Sequence, residues 1–213
     1  MIFRLLDEPV LLFAWLISII LAITFHEFSH VLAADRLGDS TGRRMGRLTL
    51  NPAAHIDLLG LFMLAVAGFG WGRPAPYNPY NLRFQRFGSA FVALAGPVSN
   101  FFLVVLLAIL VKVLSATELY SPQSSLFIFL GIFLQINLVL GIFNLIPIPP
   151  LDGSKLLFSL LPPSTLQWQM NLEQSGPMIL LAVVMLDSFL GLGIFVSVIE
   201  FFSSLVYRFL GLA

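Results

Sequence analysis

The sequence predicts an all-α membrane protein that crosses the bilayer several times. Of its 213 residues 58% are hydrophobic and only 10% charged, and its mean hydropathy is +0.95, far from the balance of a soluble domain. It also holds several uncharged runs near or above the roughly 20 apolar residues a helix needs to cross a hydrocarbon core about 30 Å thick. A formal net charge of zero, with no basic cluster, argues against a nucleic-acid partner. The chain has no cysteine, which excludes disulfides, thiolate catalysis and Cys-type zinc sites. His, Asp and Glu remain as metal-ligand types.

Residues 9–25 carry no charge, and the apolar pattern continues to Leu37 before Gly38, so one long helix is expected. A signal peptide would show a small-residue cleavage site, but Thr24-Phe25-His26-Glu27 follows, and Asp7 and Glu8 stand beside the single Arg4. The run reads as a retained helix. Residues 38–57 are polar and Arg-rich, and Arg47-Leu48-Thr49-Leu50 alternates in the strand manner before Asn51-Pro52, so a short strand or hairpin is expected at the membrane surface. Such an edge offers strand addition to an unwound substrate. Residues 58–72 are apolar but number only 15, four of them glycine, which suits a re-entrant or interfacial segment.

Residues 87–111, uncharged throughout, predict a second span, and 126–145 a third. The third runs into Pro147-Ile148-Pro149-Pro150-Leu151-Asp152-Gly153, a break that must line a cavity or the interface, since its backbone groups would go unsatisfied in lipid. From Pro177 onward the chain is again apolar, giving one span plus an interfacial helix or two short spans. The expected organisation is a single membrane domain over 1–213, with a three-helix core at about 9–160 and C-terminal helices at about 174–213. If 58–72 does not cross, Arg36, Arg43, Arg44, Arg47, Arg73, Arg83, Arg86 and Lys155 fall on one side, and only Arg4 and Lys112 near the other. The positive-inside rule makes the first side cytoplasmic.

His26-Glu27-Phe28-Ser29-His30 has the H-E-x-x-H form, which puts two imidazoles at i and i+4 on one helix face with a carboxylate beside them. That pattern offers two zinc ligands and a general base. A charged residue inside a membrane costs about 2.5–3.5 kcal/mol on insertion scales, and a bound Zn²⁺ would offset it. A catalytic zinc normally has three protein ligands and an open position. Position 36 is Arg rather than a third His, and no Glu occurs between Glu27 and Glu118. Asp152, at the end of the proline-broken stretch, is the best candidate for the third ligand. His55, in a loop, is either a gating ligand or only hydrogen-bonded. Gly96 and Asn100, four apart, read as close helix packing, with Asn100 also able to orient a ligand or contact substrate. Asp187 reads as a turn residue before Gly191 and Gly193, and the tryptophans carry no separate signal.

His26-Glu27-x-x-His30 with Ala34, then Gly96-Pro97-Val98-Ser99-Asn100, then Asn144-Leu145-Ile146-Pro147 leading to Asp152-Gly153, resembles the site-2 protease family of intramembrane zinc metalloproteases, peptidase family M50. The likeness covers about residues 9 to 160 and is nearest the short bacterial or archaeal branch without PDZ or CBS domains. It implies that His26, His30 and Asp152 hold one Zn²⁺ per chain, that Glu27 activates water, and that Asn144 helps bind the substrate backbone or the developing oxyanion. The implied substrates are transmembrane segments of single-span membrane proteins, cut at the cytoplasmic side of a prokaryotic cell membrane. The rival readings are a membrane zinc transporter or sensor, which would spread its ligands along a path, and a catalytically silent relative, against which the intact Glu27 argues.

Overall fold

The computed structural model describes residues 8–67, 70–84, 87–116 and 124–211. Arg4, Asp7, Arg86 and Glu118, which entered the sequence reading, lie outside the described residues. Among those described, the chain forms α1 (Pro9–Arg36), α2 (Thr41–Arg44), α3 (Leu58–Ala67), α4 (Gly88–Ser115), α5 (Ser125–Asn144), α6 (Asp152–Leu160), α7 (Leu166–Leu190) and α8 (Ile194–Leu210). Among the described residues, four stretches are long and apolar enough to cross a membrane: Pro9–Arg36, Gly88–Ser115, Ser125–Asn144 and Pro163–Leu190. The all-α, multi-pass architecture is therefore as expected.

α1, α4 and α5 pack against one another, with α4 antiparallel to the other two, and α6 docks on α4. Their apolar core is built from Ala22 of α1, Val104, Leu107 and Ala108 of α4, and Leu130, Phe133, Leu134, Leu138 and Ile142 of α5. In lipid such a core gains little from the hydrophobic effect, so close packing and hydrogen bonds must hold the helices together. α3 has ten residues; at 1.5 Å per residue it covers about 15 Å, half the depth of the bilayer core. Its length fits the expected non-spanning segment. Asp57 starts it by accepting from the Gly60 N–H at 2.9 Å, one of the orphan donors of a helix N-terminus.

Three expectations need correction. Residues 47–50 form no strand: Arg47 bonds the carbonyls of Arg73 and Pro74, and Thr49 accepts from the Asn51 N–H and, at its carbonyl, from His55 Nε2. Those side-chain bonds fold the segment into bends, and the only antiparallel bridge among the described residues joins Ile56 to Gly72. The C-terminal helices begin earlier than 174, because α7 runs from Leu166 through Pro177. Asp187 is no turn residue. It lies on α7, 8% exposed, and accepts from the N–H groups of Ile194 at 2.8 Å and Phe195 at 3.5 Å, so it caps α8 from the preceding helix. At its other end α8 is held by the Tyr207 hydroxyl donating to Gln135 of α5.

The polar loops are tied down by Asp39, which is only 1% exposed. Its carboxylate accepts from Thr41 Oγ1 at 2.7 Å, the Asn78 N–H at 2.8 Å and Asn81 Nδ2 at 2.9 Å. Arg83 N–H donates to the Leu37 carbonyl at 2.9 Å beside it. Burial opposes the charge on Asp39, yet the bonds from Thr41, Asn81 and Asn78 hold its carboxyl below the ordinary value. A depressed folded-state value means a contribution to stability that is present above the unfolded-state value, near 3.9, and lost as pH falls through the folded one. Asp39→Asn should therefore lower the thermal midpoint at pH 7, with the gap to the parent protein closing as the pH of the melt is brought down below about 4.

Candidate active site

His26 and His30 lie in the second half of α1, with His26 ten positions before Arg36 at its end, about 15 Å along the axis. The i, i+4 spacing turns both rings toward α4, where Gly96 receives them. A Cβ on Gly96 would stand 2.4 Å from His30 Nε2 and 2.6 Å from His26 Cε1, so only glycine admits the imidazoles here. Pro97 next to it has no N–H to return to the preceding turn, which leaves the Ala93 carbonyl without that donor. In that turn the Val92 carbonyl accepts from His30 Nδ1 at 2.7 Å. His26 Nδ1 bonds Asn100 Oδ1, also at 2.7 Å.

Asp152 opens α6, where the helix dipole favours a carboxylate. A Cβ on Gly153 would meet the Leu145 carbonyl oxygen at 2.2 Å; its absence lets α6 press against the end of α5 and bring Asp152 to the histidines. Asp152 Oδ2 lies 3.1 Å from His26 Nε2 and 3.2 Å from His30 Nε2, and the two Nε2 atoms are 3.0 Å apart. These three residues are the potential metal-holding cluster among the described residues.

The donor set fits a divalent cation. Both Nδ1 atoms face acceptors, so in the neutral imidazoles, the metal-binding form, they carry the ring hydrogens, which leaves two Nε2 lone pairs and a carboxylate oxygen converging with no hydrogen between them. In a low-dielectric interior that arrangement is repulsive unless a positive charge sits among them. The separations match those between ligands of a tetrahedral Zn²⁺, about 3.3 Å for bonds of 2.0–2.1 Å. Glu27 Oε2 is buried without a hydrogen-bond partner and borders the same cavity, as a base waiting for a substrate or water proton would.

That cavity has a volume of about 310 Å³ and is lined by His26, Glu27, His30, Asp152 and Asn144, among others. Asn144, at the last turn of α5, donates to the Leu140 carbonyl at 3.0 Å. Asn100 is 0% exposed; its oxygen is taken by His26 and its nitrogen by Asn137 Oδ1 at 2.9 Å, so it holds the His26 ring and does not open on the cavity. His55 stands apart from the cluster: it is 0% exposed and its Nε2 bonds the Thr49 carbonyl at 2.7 Å.

Sequence reasoning missed one wall of the cavity, made by Gly70, Trp71, Gly72, Pro74, Ala75 and Tyr77. This extended segment is held by the Arg73 N–H to the His55 carbonyl at 2.8 Å and by the Arg47 guanidinium on the carbonyls of Arg73 and Pro74. The signal was the alternation Gly68-Phe69-Gly70-Trp71-Gly72, in which small residues let backbone come close to something. A Cβ on Gly72 would lie 3.7 Å from Glu27 Oε1.

The family model for peptidase family M50 matches residues 113–186, a stretch holding Asn144 and Asp152. "Putative zinc metalloprotease YwhC" of Bacillus subtilis is 38% identical over 184 residues, covering 84% of this chain and 84% of that protein. "Putative zinc metalloprotease Rip2" of Mycolicibacterium smegmatis is 35% identical over 181 residues, 81% of this chain and 64% of that protein. "Putative zinc metalloprotease MJ0611" of Methanocaldococcus jannaschii is 32% identical over 143 residues, 67% of this chain and 68% of that protein. No solved structure gives a match. The chain belongs to peptidase family M50, the site-2 protease family.

Because Gly96 leaves no space for a methyl group beside the imidazoles, Gly96→Ala is expected to push both rings off their acceptors. Zinc content measured by mass spectrometry should fall well below the parent level while the helical circular dichroism stays. A fully zinc-loaded Gly96→Ala protein would show that the rings do not need this contact.

Proposed function

We propose that the chain is a zinc-dependent intramembrane endopeptidase that cuts transmembrane segments of single-span membrane proteins from a site facing the cytoplasm. The observation that carries this reading is the meeting of three ligand atoms within 3.2 Å of one another, beside an unpartnered Glu27 carboxylate oxygen, inside a bundle of spanning helices. His26 and His30 through Nε2, and Asp152 through its carboxylate, would hold one zinc per chain. When bound, zinc supplies a Lewis acid that acidifies water and polarises a carbonyl.

Glu27 does the proton work: its free oxygen takes the proton of the attacking water and later gives it to the leaving amine. Asn144 borders the same space and needs only to release the Leu140 carbonyl to donate its amide to the substrate carbonyl as charge develops there. Asn100 acts through His26 by fixing its ring.

A scissile carbonyl within a helix is already hydrogen-bonded, so the substrate must unwind locally before attack. An apolar cleft of about 760 Å³, walled by α1, α3, α5 and the α7–α8 region, adjoins the catalytic cavity and shares Ile23, Gly72, Leu140 and Phe143 with it. It supports entry of an apolar segment from the bilayer. Cut regions are expected to contain helix-weakening Gly, Pro, Asn or Ser. The cytoplasmic assignment follows from chain connectivity, which puts Arg36, Arg43, Arg44, Arg47, Arg73, Arg83 and Lys155 at the site end of the helices.

Two measurements test the reading. The purified chain should hold about one zinc, lost in His26→Ala, His30→Ala and Asp152→Ala; Glu27→Gln should keep the metal and cut a single-span reporter at least about 100-fold more slowly. Near-parent cutting by Glu27→Gln, or full zinc in Asp152→Ala, would sink the assignment of roles. Cysteines introduced as Met45→Cys and Tyr80→Cys, both at exposed positions, should be labelled from the cytoplasm, and Ala116→Cys from the opposite face. Labelling of the first two from different faces would overturn the orientation.

A further inference from the structure

Asn137 of α5 is 0% exposed, carries an amide in the middle of a spanning helix, and has no part in the site as read so far. Its Nδ2 donates to the Phe133 carbonyl at 2.8 Å, and its Oδ1 accepts from Asn100 Nδ2 at 2.9 Å. Asn100 Oδ1 in turn faces His26 Nδ1 at 2.7 Å. The chain of bonds therefore crosses three helices, from the backbone of α5 through a side chain of α4 to the imidazole on α1.

We infer that Asn137 is a positioning residue that sets which nitrogen of His26 carries the hydrogen. The argument is one of polarity. A backbone carbonyl only accepts, so the amide nitrogen of Asn137 must face Phe133 and its oxygen must face Asn100. That oxygen also only accepts, so Asn100 presents its nitrogen to Asn137 and its oxygen to His26. The oxygen of Asn100 requires an N–H on His26 Nδ1, which leaves the Nε2 lone pair aimed at His30 and Asp152. Reversal of the Asn100 amide would place the hydrogen on Nε2, where it blocks a ligand position. His30 receives the same instruction directly, from the Val92 carbonyl. Asn137 is thus the device by which a distant backbone carbonyl does for His26 what Val92 does for His30.

The inference rests on the reading that His26 binds metal through Nε2, and its test does not depend on proteolysis. The full chain, labelled with ¹⁵N-histidine in nanodiscs and stripped of metal, should show His26 as the Nδ1–H tautomer, assigned by comparison with His26→Asn. In Asn137→Leu, which keeps the branching and number of side-chain heavy atoms but has no polar atoms, that signal should become a mixture of tautomers and zinc affinity, read by chelator competition, should fall about 10–100-fold. Asn137→Asp should restore the tautomer and bring zinc affinity within about threefold of the parent, because the carboxyl offers an acceptor to Asn100 in either protonation state. An Nε2–H tautomer in the parent chain overturns the inference even if no variant folds. So does Asn137→Leu with unchanged tautomer and affinity, or Asn137→Asp as weak as Asn137→Leu, which would leave only packing. A chain that shows the Nδ1–H tautomer but cuts no membrane substrate would refute the proposed activity and leave this inference standing.

Discussion

Asp152 Oδ2 sits 3.1 and 3.2 Å from the Nε2 atoms of His26 and His30, and much of the surrounding architecture follows from holding these three atoms together in an apolar bundle. They arrive on two kinds of element. The histidines sit within a continuous helix, whose geometry sets their spacing. Asp152 sits at the first residue of a short helix that must be pressed against the end of α5. The two glycines at the points of pressure, Gly96 and Gly153, are where a Cβ would collide with a histidine ring and with a backbone carbonyl. The Val92 carbonyl, one turn before Gly96 on the same helix, serves the same end by accepting from the His30 ring.

A second constraint comes from the backbone. Non-helical chain at membrane depth is tolerated only where its N–H and C=O groups find partners in protein or water. Residues 70–77 meet this condition through the His55 carbonyl and the Arg47 guanidinium, and the loop following α1 meets it through Asp39. Arg47 and Asp39 are thus structural parts of the cavity although neither borders it. The same economy explains Asp187, which supplies the cap that Gly193 cannot give to α8.

What was legible in the sequence was what is local. His26 and His30 could be paired because i, i+4 fixes their relation within one helix, and α1, α4 and α5 could be placed because a span must be long and uncharged. Asp152 was legible through the proline break before it. The rest depends on residues far apart in the chain. Arg47 alternates with Leu48 and Thr49 like a strand, but its partners are carbonyls 26 and 27 positions away. Asn137 looks like any tolerated polar residue in a span until α4 brings Asn100 against it. The C-terminal helices were expected from about 174, yet α7 begins at Leu166 and continues through Pro177, with Gly176 packed on Pro149.

The polar groups around the metal position also share a direction. Hydrogens point outward from the centre, to Asn100 and to Val92, and lone pairs point inward, so the first layer of protein is uniformly negative toward the middle of the site. In water such an arrangement would cost little and specify little. Inside a bundle of apolar helices each inward lone pair strengthens the demand for a cation, since the field is weakly screened. Amide side chains can sustain that direction over two links, as Asn100 and Asn137 do, because each has one end that donates and one that accepts. Asparagine between the backbone of α5 and His26 therefore orders the site from outside as well as packing polar atoms into a membrane helix.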